Sequence, residues 1–221
     1  VADMDGDGDL DIVSASMHDD TIAWYENDGA ADPSFVAVNI VTNADGVDQV
    51  YVADLDADGD MDILSASEND DTIAWYESNG AVNPSWTKIV ISTSADAAAD
   101  VFAADIDGDG DLDIVSASNA DDTIAWYEND GANDPNWTAV DISTNADSAN
   151  GISIADIDGD GDLDIVSSSY SDDTIAWYEN HGAAGNHLLT IADLTTANEN
   201  AANATLTVSL SAAAKRDVTV D

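Results

Sequence analysis

Apolar and β-branched residues fall in short runs along the chain, and segments rich in Asp, Asn and Gly separate them. In one stretch the runs are QVYVAD (49–54), DILSAS (62–67), TIAWYE (72–77) and WTKIVIST (86–93). Runs of this length and composition, bounded by turn-forming residues, are typical of β-strands. No helical periodicity of useful length competes with them. The pattern therefore predicts an all-β chain with four strands in this stretch.

The same pattern returns every 51 residues, because the octet DDTIAWYE begins at Asp19, Asp70, Asp121 and Asp172. Four short strands in a period of about 50 residues are typical of a β-propeller blade. Such blades are covered on both faces, so the Trp-Tyr pair of each octet is predicted to pack in the core. An exposed aromatic that stacks on sugar is the alternative. We expect four blades, here called units 1 to 4, at about residues 1–47, 48–98, 99–149 and 150–187.

An acidic loop precedes the second strand of each unit. Numbered from its first aspartate, the loop has Asp at positions 1, 3, 5, 7 and 9 and Gly at position 6. At position 7 the backbone carbonyl is expected to be the group that binds the metal. The candidate metal ligands are Asp3, Asp5, Asp7, Asp9 and Asp11 in unit 1; Asp54, Asp56, Asp58, Asp60 and Asp62 in unit 2; Asp105, Asp107, Asp109, Asp111 and Asp113 in unit 3; and Asp156, Asp158, Asp160, Asp162 and Asp164 in unit 4.

This spacing matches the first half of an EF-hand calcium loop, including the glycine that permits a sharp turn at position 6. Position 12 is serine in every unit, however, where an EF-hand has a bidentate glutamate. We therefore expect a shorter calcium loop, closed by the position-9 aspartate inside a β-hairpin. Ordinary turn chemistry would explain one Asp-Gly pair but not four repeated sets of mutually repelling carboxylates. About four Ca²⁺ ions, one in each unit, are predicted to stabilise the fold.

The overall charge limits the possible partners. The chain has 47 acidic and 3 basic residues, a formal net charge of -44, and no cysteine. Nucleic acid and anionic lipid are therefore not expected to bind, and no apolar run is long enough for membrane insertion. The paired aspartates that open each octet are interpreted as a solvated acidic face, with a secondary cation site as the alternative. Because the chain opens within a repeat, we expect it to be part of a longer protein.

The unit VADxDxDGDxDI…S…DDTIAWYEN resembles the FG-GAP/VCBS repeat, the blade of integrin-α-like propellers, over about residues 1–187. The resemblance implies a propeller that binds Ca²⁺ through the loop aspartates. Propellers of this family usually have seven blades, so further sequence completes the ring, or the four units close or associate in another way.

The repeat decays beyond Gly185. The run LLTIADLT (188–195) is interpreted as the outer strand of unit 4 or as the start of a separate domain within residues 188–221. The segment from residue 197 onward looks like the opening of a Calx-beta domain, a partial β-sandwich in which Glu199 is a candidate calcium ligand.

These features favour a calcium-binding repeat region of a large secreted or cell-surface bacterial protein with a structural or adhesive role. Its expected partner is a protein or glycan at a cell surface, or copies of itself. A polysaccharide-binding or polysaccharide-degrading accessory module is the alternative. We expect no enzymatic activity, because catalysis needs a constellation that is not repeated. The three histidines, His18, His181 and His187, occupy unrelated positions.

Overall fold

The structure is a computed structural model that describes residues 1–132 and 134–182 and the backbone of Leu189–Thr195. Within these residues every regular element is a β-strand, so the predicted all-β fold is confirmed. The strands are β1 (Ile12–Ser16), β2 (Thr21–Asn27) and β3 (Phe35–Val41); β4 (Val47–Ala53), β5 (Asp62–Ser67), β6 (Thr72–Ser78) and β7 (Trp86–Ser92); β8 (Ala98–Ala104), β9 (Asp113–Ser118), β10 (Thr123–Asn129) and β11 (Trp137–Ser143); and β12 (Ala149–Ala155), β13 (Asp164–Ser169), β14 (Thr174–Glu179) and β15 (Leu189–Thr195).

Each unit forms one antiparallel sheet whose strands lie side by side in chain order, as in a propeller blade. Sheets 2, 3 and 4 have four strands, β4–β7, β8–β11 and β12–β15, whereas sheet 1 has three, β1–β3. Residues before β1 add a single bridge between Ala2 and Asp11. Within the run at 188–195, Leu189–Thr195 form an outer strand, because β15 pairs with β14. The predicted Calx-beta segment, residues 197–221, lies outside the described residues.

Consecutive sheets stack through two different faces. In sheet 2 the alternate residues Leu64, Ala66, Ile73 and Trp75 form what we call the front face. This face packs on the back face of sheet 3, which consists of Val101, Ala103, Ile114, Ala125 and Tyr127. Equivalent clusters join sheet 1 to sheet 2 and sheet 3 to sheet 4. The strands at the centre of the stack are therefore covered on both sides, and every residue of β5 and β9 is buried.

The Trp-Tyr pair of the octet is divided between these two faces, since neighbouring strand residues point to opposite sides of a sheet. In unit 2 Trp75 on the front face is 1% exposed and Tyr76 on the back face is 2% exposed. Both side chains belong to hydrophobic clusters with a neighbouring sheet. The expected packing in the core is observed here, so these rings are not a surface for stacking on sugar.

The paired aspartates of the octet form a tight turn that also ties neighbouring units together. The second aspartate of each pair has a left-handed backbone, with φ between 55° and 58°, a conformation that Asp tolerates better than most residues. Its Oδ1 accepts the backbone N–H of a residue 26 positions later, just before the next sheet. The three bonds are Gly46 to Asp20 (3.0 Å), Ala97 to Asp71 (3.0 Å) and Ser148 to Asp122 (2.9 Å). The sequence analysis did not predict this role.

Candidate metal sites

The acidic loops of units 2 to 4 each connect the first and second strands of a sheet, and the loop of unit 1 leads into β1. In every unit three aspartates bring one carboxylate oxygen each within 4.8 Å of the others. Units 1 and 3 do this with positions 1, 3 and 9, and units 2 and 4 with positions 1, 3 and 5. The four groups are Asp3, Asp5 and Asp11; Asp54, Asp56 and Asp58; Asp105, Asp107 and Asp113; and Asp156, Asp158 and Asp160.

The position-1 aspartate folds the loop around its carboxylate. One of its oxygens accepts the backbone N–H of the position-6 glycine in all four units, at 2.9, 3.0, 3.1 and 3.2 Å in chain order. That glycine has a φ between 98° and 104°, which a side chain would make unfavourable. The glycine at position 6 therefore adopts the sharp turn that the sequence predicts.

Positions 3 and 5 are held by short local hydrogen bonds of the Asx-turn type. The position-3 carboxylate accepts the position-5 N–H at 3.1 to 3.3 Å. The position-5 carboxylate accepts the position-7 N–H at 2.9 to 3.0 Å. Burial, together with the neighbouring carboxylates, raises the pKa of the position-3 aspartates Asp5, Asp56, Asp107 and Asp158. The loop therefore gathers negative charge at a cost that a bound cation would remove.

The position-9 aspartate is the buried anchor of each loop. Asp11, Asp62, Asp113 and Asp164 are at most 1% exposed. One oxygen accepts the N–H of loop position 2, at 3.0 to 3.2 Å. The other accepts the N–H of the residue after the octet, at 2.8 to 2.9 Å. Burial raises the pKa of Asp62 to about 7 and that of Asp113 to about 6. The predicted ligand is therefore also the residue that joins the loop to the following hairpin.

The position-7 aspartates turn their side chains away from these groups. Asp9, Asp60, Asp111 and Asp162 lie over the glycines of the next turn, Gly29, Gly80, Gly131 and Gly182. A Cβ on any of these glycines would overlap the carboxylate above it. A metal-binding role of the position-7 backbone carbonyl stays a prediction.

A glutamate that the sequence analysis did not single out faces each loop. It is the last residue of the octet, and its charge helps to raise the pKa of the position-3 aspartate in units 1 to 3 (Glu26, Glu77 and Glu128). In unit 4 burial raises the pKa of Glu179, and Asp158 and Asp164 raise it further. Because the octet repeats verbatim, the sequence marks this glutamate as a possible functional residue. Its position beside the loop, however, depends on the pairing of the hairpin strands.

The residue after the octet was also missed, although it links adjacent loops. The Asn129 side chain donates to the carbonyl oxygen of Leu112 in its own loop at 3.1 Å and to that of Leu55 in the preceding unit at 3.3 Å. Asn180 makes the same pair of bonds to Leu163 and Ile106. These amides bridge consecutive loops, which explains why they are buried.

The remaining candidates add no further group to these sites. Nδ1 of His181 lies 3.7 Å from a Glu179 carboxylate oxygen, while His187 and Glu199 lie outside the described residues. Across the part of the chain that the structure describes, no helix has the length and apolarity needed to cross a membrane.

Sequence comparison supports the resemblance from which these sites were inferred. The FG-GAP-like repeat family matches three overlapping stretches, residues 3–65, 54–116 and 105–167. The chain belongs to the FG-GAP-like repeat family. Each match runs from the acidic loop of one FG-GAP unit through the loop of the next. A comparison with curated proteins gives no match. The family matches end at residue 167, so the Calx-beta resemblance stays a prediction.

Proposed function

We propose that this chain is a calcium-binding repeat region of an extracellular protein and that one Ca²⁺ ion stabilises each of its four units. The observation that carries the proposal is the fourfold recurrence of three carboxylate oxygens within 4.8 Å of one another. The family assignment supports the extracellular setting, because FG-GAP repeats are typical of extracellular proteins. A structural or adhesive role at a secreted or cell-surface location follows from that setting.

The donor set favours calcium over other cations. All side chains of the four groups are carboxylates, which suit hard cations such as Ca²⁺ and Mg²⁺ better than zinc or copper. Ca²⁺ accepts six to eight oxygens in flexible geometry, whereas Mg²⁺ needs a near-ideal octahedron and keeps several waters. A loop that offers up to four aspartates and a backbone carbonyl fits the larger ion.

The stabilisation expected from four ions is substantial. Extracellular modules bind Ca²⁺ with dissociation constants of about 10⁻⁴ to 10⁻³ M. An ion at ten times its dissociation constant adds about 1.4 kcal/mol to the free energy of unfolding. Four such ions would therefore contribute several kcal/mol, a large share of the roughly 5–15 kcal/mol that stabilises an ordinary domain. The ions would also partly neutralise a chain with a net charge of -44.

This role is one of binding and scaffolding rather than catalysis, and its partner is a protein or glycan at a cell surface. The proposed role rests on four repeated sites. In each site, hydrogen bonds from local backbone N–H groups hold the carboxylates in place. A glycan array probed with calcium and with chelator separates the possible partners: calcium-dependent sugar binding would favour a glycan partner or the polysaccharide-binding alternative, and no sugar binding would favour assembly or protein adhesion.

Calorimetry tests the calcium sites directly. We expect the melting temperature to rise through a calcium titration and to collapse when chelator is added. Isothermal titration should count about four ions for the unaltered chain, one for each carboxylate group, and one fewer for Asp107→Asn. Asp141→Asn, an exposed aspartate on β11, is the matched control and should leave the count unchanged. A melting temperature that is indifferent to chelator would contradict the proposal.

A further inference from the structure

The backbone at loop position 2 connects its own loop to the next unit. In unit 2 this residue is Leu55, which lies between two of the clustered carboxylates, Asp54 and Asp56. Its backbone N–H is donated to the buried Asp62 of its own loop at 3.2 Å. Its carbonyl oxygen accepts a side-chain N–H of Asn129 in unit 3 at 3.3 Å. The backbone at this position is therefore held both by its own loop and by the following unit.

Asn129 carries this connection into the loop of unit 3. Its backbone N–H is donated to Asp113 at 2.9 Å, and its side chain also donates to the Leu112 carbonyl oxygen at 3.1 Å. Asp113 belongs to the carboxylate group of unit 3, and both Asp113 and Asn129 are at most 3% exposed. A series of largely buried hydrogen bonds thus joins the position-9 aspartate of one loop to that of the next.

The same connection joins units 3 and 4 but is missing between units 1 and 2. Asn180 donates to the Ile106 carbonyl oxygen in the loop of unit 3, and its backbone N–H is donated to Asp164 at 2.8 Å. In unit 2 the corresponding residue is Ser78, whose hydroxyl accepts the Gly80 N–H at 3.3 Å and makes no bond to the unit 1 loop among the described residues. The loops of units 2, 3 and 4 therefore form a linked series that does not include the loop of unit 1.

We propose that the calcium sites of units 2, 3 and 4 bind Ca²⁺ cooperatively through these asparagines, whereas the site of unit 1 binds independently of them. This coupling rests on the proposed function, because it acts between the calcium sites themselves. An ion bound in unit 2 fixes the loop between positions 1 and 3, and with it the Leu55 carbonyl oxygen that holds Asn129. The Asn129 N–H then keeps Asp113 in place, so the loop of unit 3 needs less ordering when it binds its own ion.

Electrostatic repulsion between the ions acts in the opposite direction, because each bound Ca²⁺ makes the neighbouring loop less attractive to a cation. This repulsion is common to all the boundaries between units, since every loop carries the same five aspartates. Salt screens it beyond about 8 Å at physiological ionic strength. The bridging amide is the feature that differs, so the boundary between units 1 and 2 serves as an internal control for the boundary between units 2 and 3.

Site-resolved NMR of the full chain during a calcium titration tests the coupling. Each position-6 glycine donates its N–H to the position-1 carboxylate of its own loop, so its amide signal reports on that site. The four reporters are Gly8, Gly59, Gly110 and Gly161. Asp56→Asn removes one of the clustered carboxylates of unit 2 and should raise the calcium concentration at the Gly110 midpoint roughly fivefold. Asp5→Asn, the matched change in unit 1, should leave the Gly59 midpoint unchanged.

Asn129→Ser separates a coupling role from a merely structural one, because it gives unit 3 the residue that unit 2 already has. In this variant, adding Asp56→Asn should no longer shift the Gly110 midpoint. A Gly110 midpoint that ignores Asp56→Asn in the unaltered chain, or that shifts equally with and without Asn129, would overturn the coupling. An equal shift of the Gly59 midpoint on Asp5→Asn would also overturn it, because the amide bridge is missing there. Loop glycines that do not respond to calcium at all would instead contradict the proposed calcium sites.

Discussion

The loops of units 2 and 3 share the spacing of their aspartates but differ in two residues that the hydrogen bonds depend on. Loop position 4 is Ala57 in unit 2 and Gly108 in unit 3. The residue after the octet is Ser78 in unit 2 and Asn129 in unit 3. Both loops keep the bond from the position-6 glycine to the position-1 carboxylate, at 3.0 and 3.1 Å.

These differences leave the unit 2 loop less satisfied. In unit 3 the second oxygen of Asp105 accepts the Gly108 N–H at 2.8 Å. In unit 2 the corresponding oxygen of Asp54 is buried and has no hydrogen-bond partner among the described residues. In both units burial raises the pKa of the position-9 aspartate, to about 7 for Asp62 and about 6 for Asp113. The two loops therefore share a motif, but without a cation the one in unit 2 is under more electrostatic strain.

The largest expected effect comes from removing the buried anchor. Asp113→Ala leaves two buried N–H groups without an acceptor and should lower the free energy of unfolding by roughly 3 kcal/mol in chelator. Asp62→Ala should lose a similar amount, because the Asp62 carboxylate accepts the Leu55 and Ser78 N–H groups in the same way. Urea denaturation measures both, with the exposed Asp141→Ala as control. A loss no larger than that of Asp141→Ala would contradict the anchoring role of these aspartates.

The pH dependence of stability in chelator should report the same two aspartates. Asp62 and Asp113 have folded-state pKa values of about 7 and about 6, well above the ordinary value of about 3.9 for aspartate, so the folded state binds more protons between these limits. Stability in chelator should therefore fall as the pH rises from about 4 through about 7. Asp100, whose pKa is also raised by burial, contributes in the same direction.

Urea denaturation in chelator across this pH window measures the slope. Asp62→Asn and Asp113→Asn should each flatten the slope. Saturating calcium should reverse the trend, because the ion binds the deprotonated loop. A stability in chelator that rises with pH would contradict the assignment.

The sequence predicted the parts of the fold and of the sites that depend on local spacing. The strands and the loop glycine follow from residues that are neighbours in the chain, and the aspartates that cluster lie within a single nine-residue loop. The missed features depend on contacts across the chain: Asp113 reaches the Asn129 N–H 16 residues away, and the Asn129 side chain reaches Leu55 over 74 residues. Only the hairpin and the stacking of units bring these groups together.

Restoring the missing amide should strengthen unit 2. In Ser78→Asn the new side chain would repeat the Asn129 bonds and donate to the carbonyl oxygens of Met61 and Met4, which occupy the positions of Leu112 and Leu55. We expect a gain of about 1 kcal/mol in the free energy of unfolding, measured with urea in chelator.

Asn129→Ser is the reciprocal control for this change and should lose a similar amount. Ser78 is 4% exposed, so the gain requires the pocket between units 1 and 2 to accept the larger side chain as the equivalent pockets do. If Ser78→Asn is destabilising while Asn129→Ser loses the expected amount of unfolding free energy, then sheets 1 and 2 pack more closely than the later pairs of sheets.

The smallest expected effect lies at loop position 4. Ala57 has a left-handed φ of 58°, where Gly108 has 77°. Ala57→Gly should relieve this strain and add about 0.5–1 kcal/mol to the free energy of unfolding in chelator. It also allows the loop to adopt the unit 3 geometry, in which the residue 57 N–H would reach the unpaired oxygen of Asp54.

Gly108→Ala is the matching change in unit 3. Because nothing lies within 4 Å of the Cβ that this change adds, the loss in unfolding free energy reports backbone strain alone. We expect it to lose about as much as Ala57→Gly gains. If Gly108→Ala is destabilising while Ala57→Gly is neutral, then backbone strain is not what leaves Asp54 unpaired. The difference between the two loops would then lie in the Ser78 position, where the link to the preceding unit is missing.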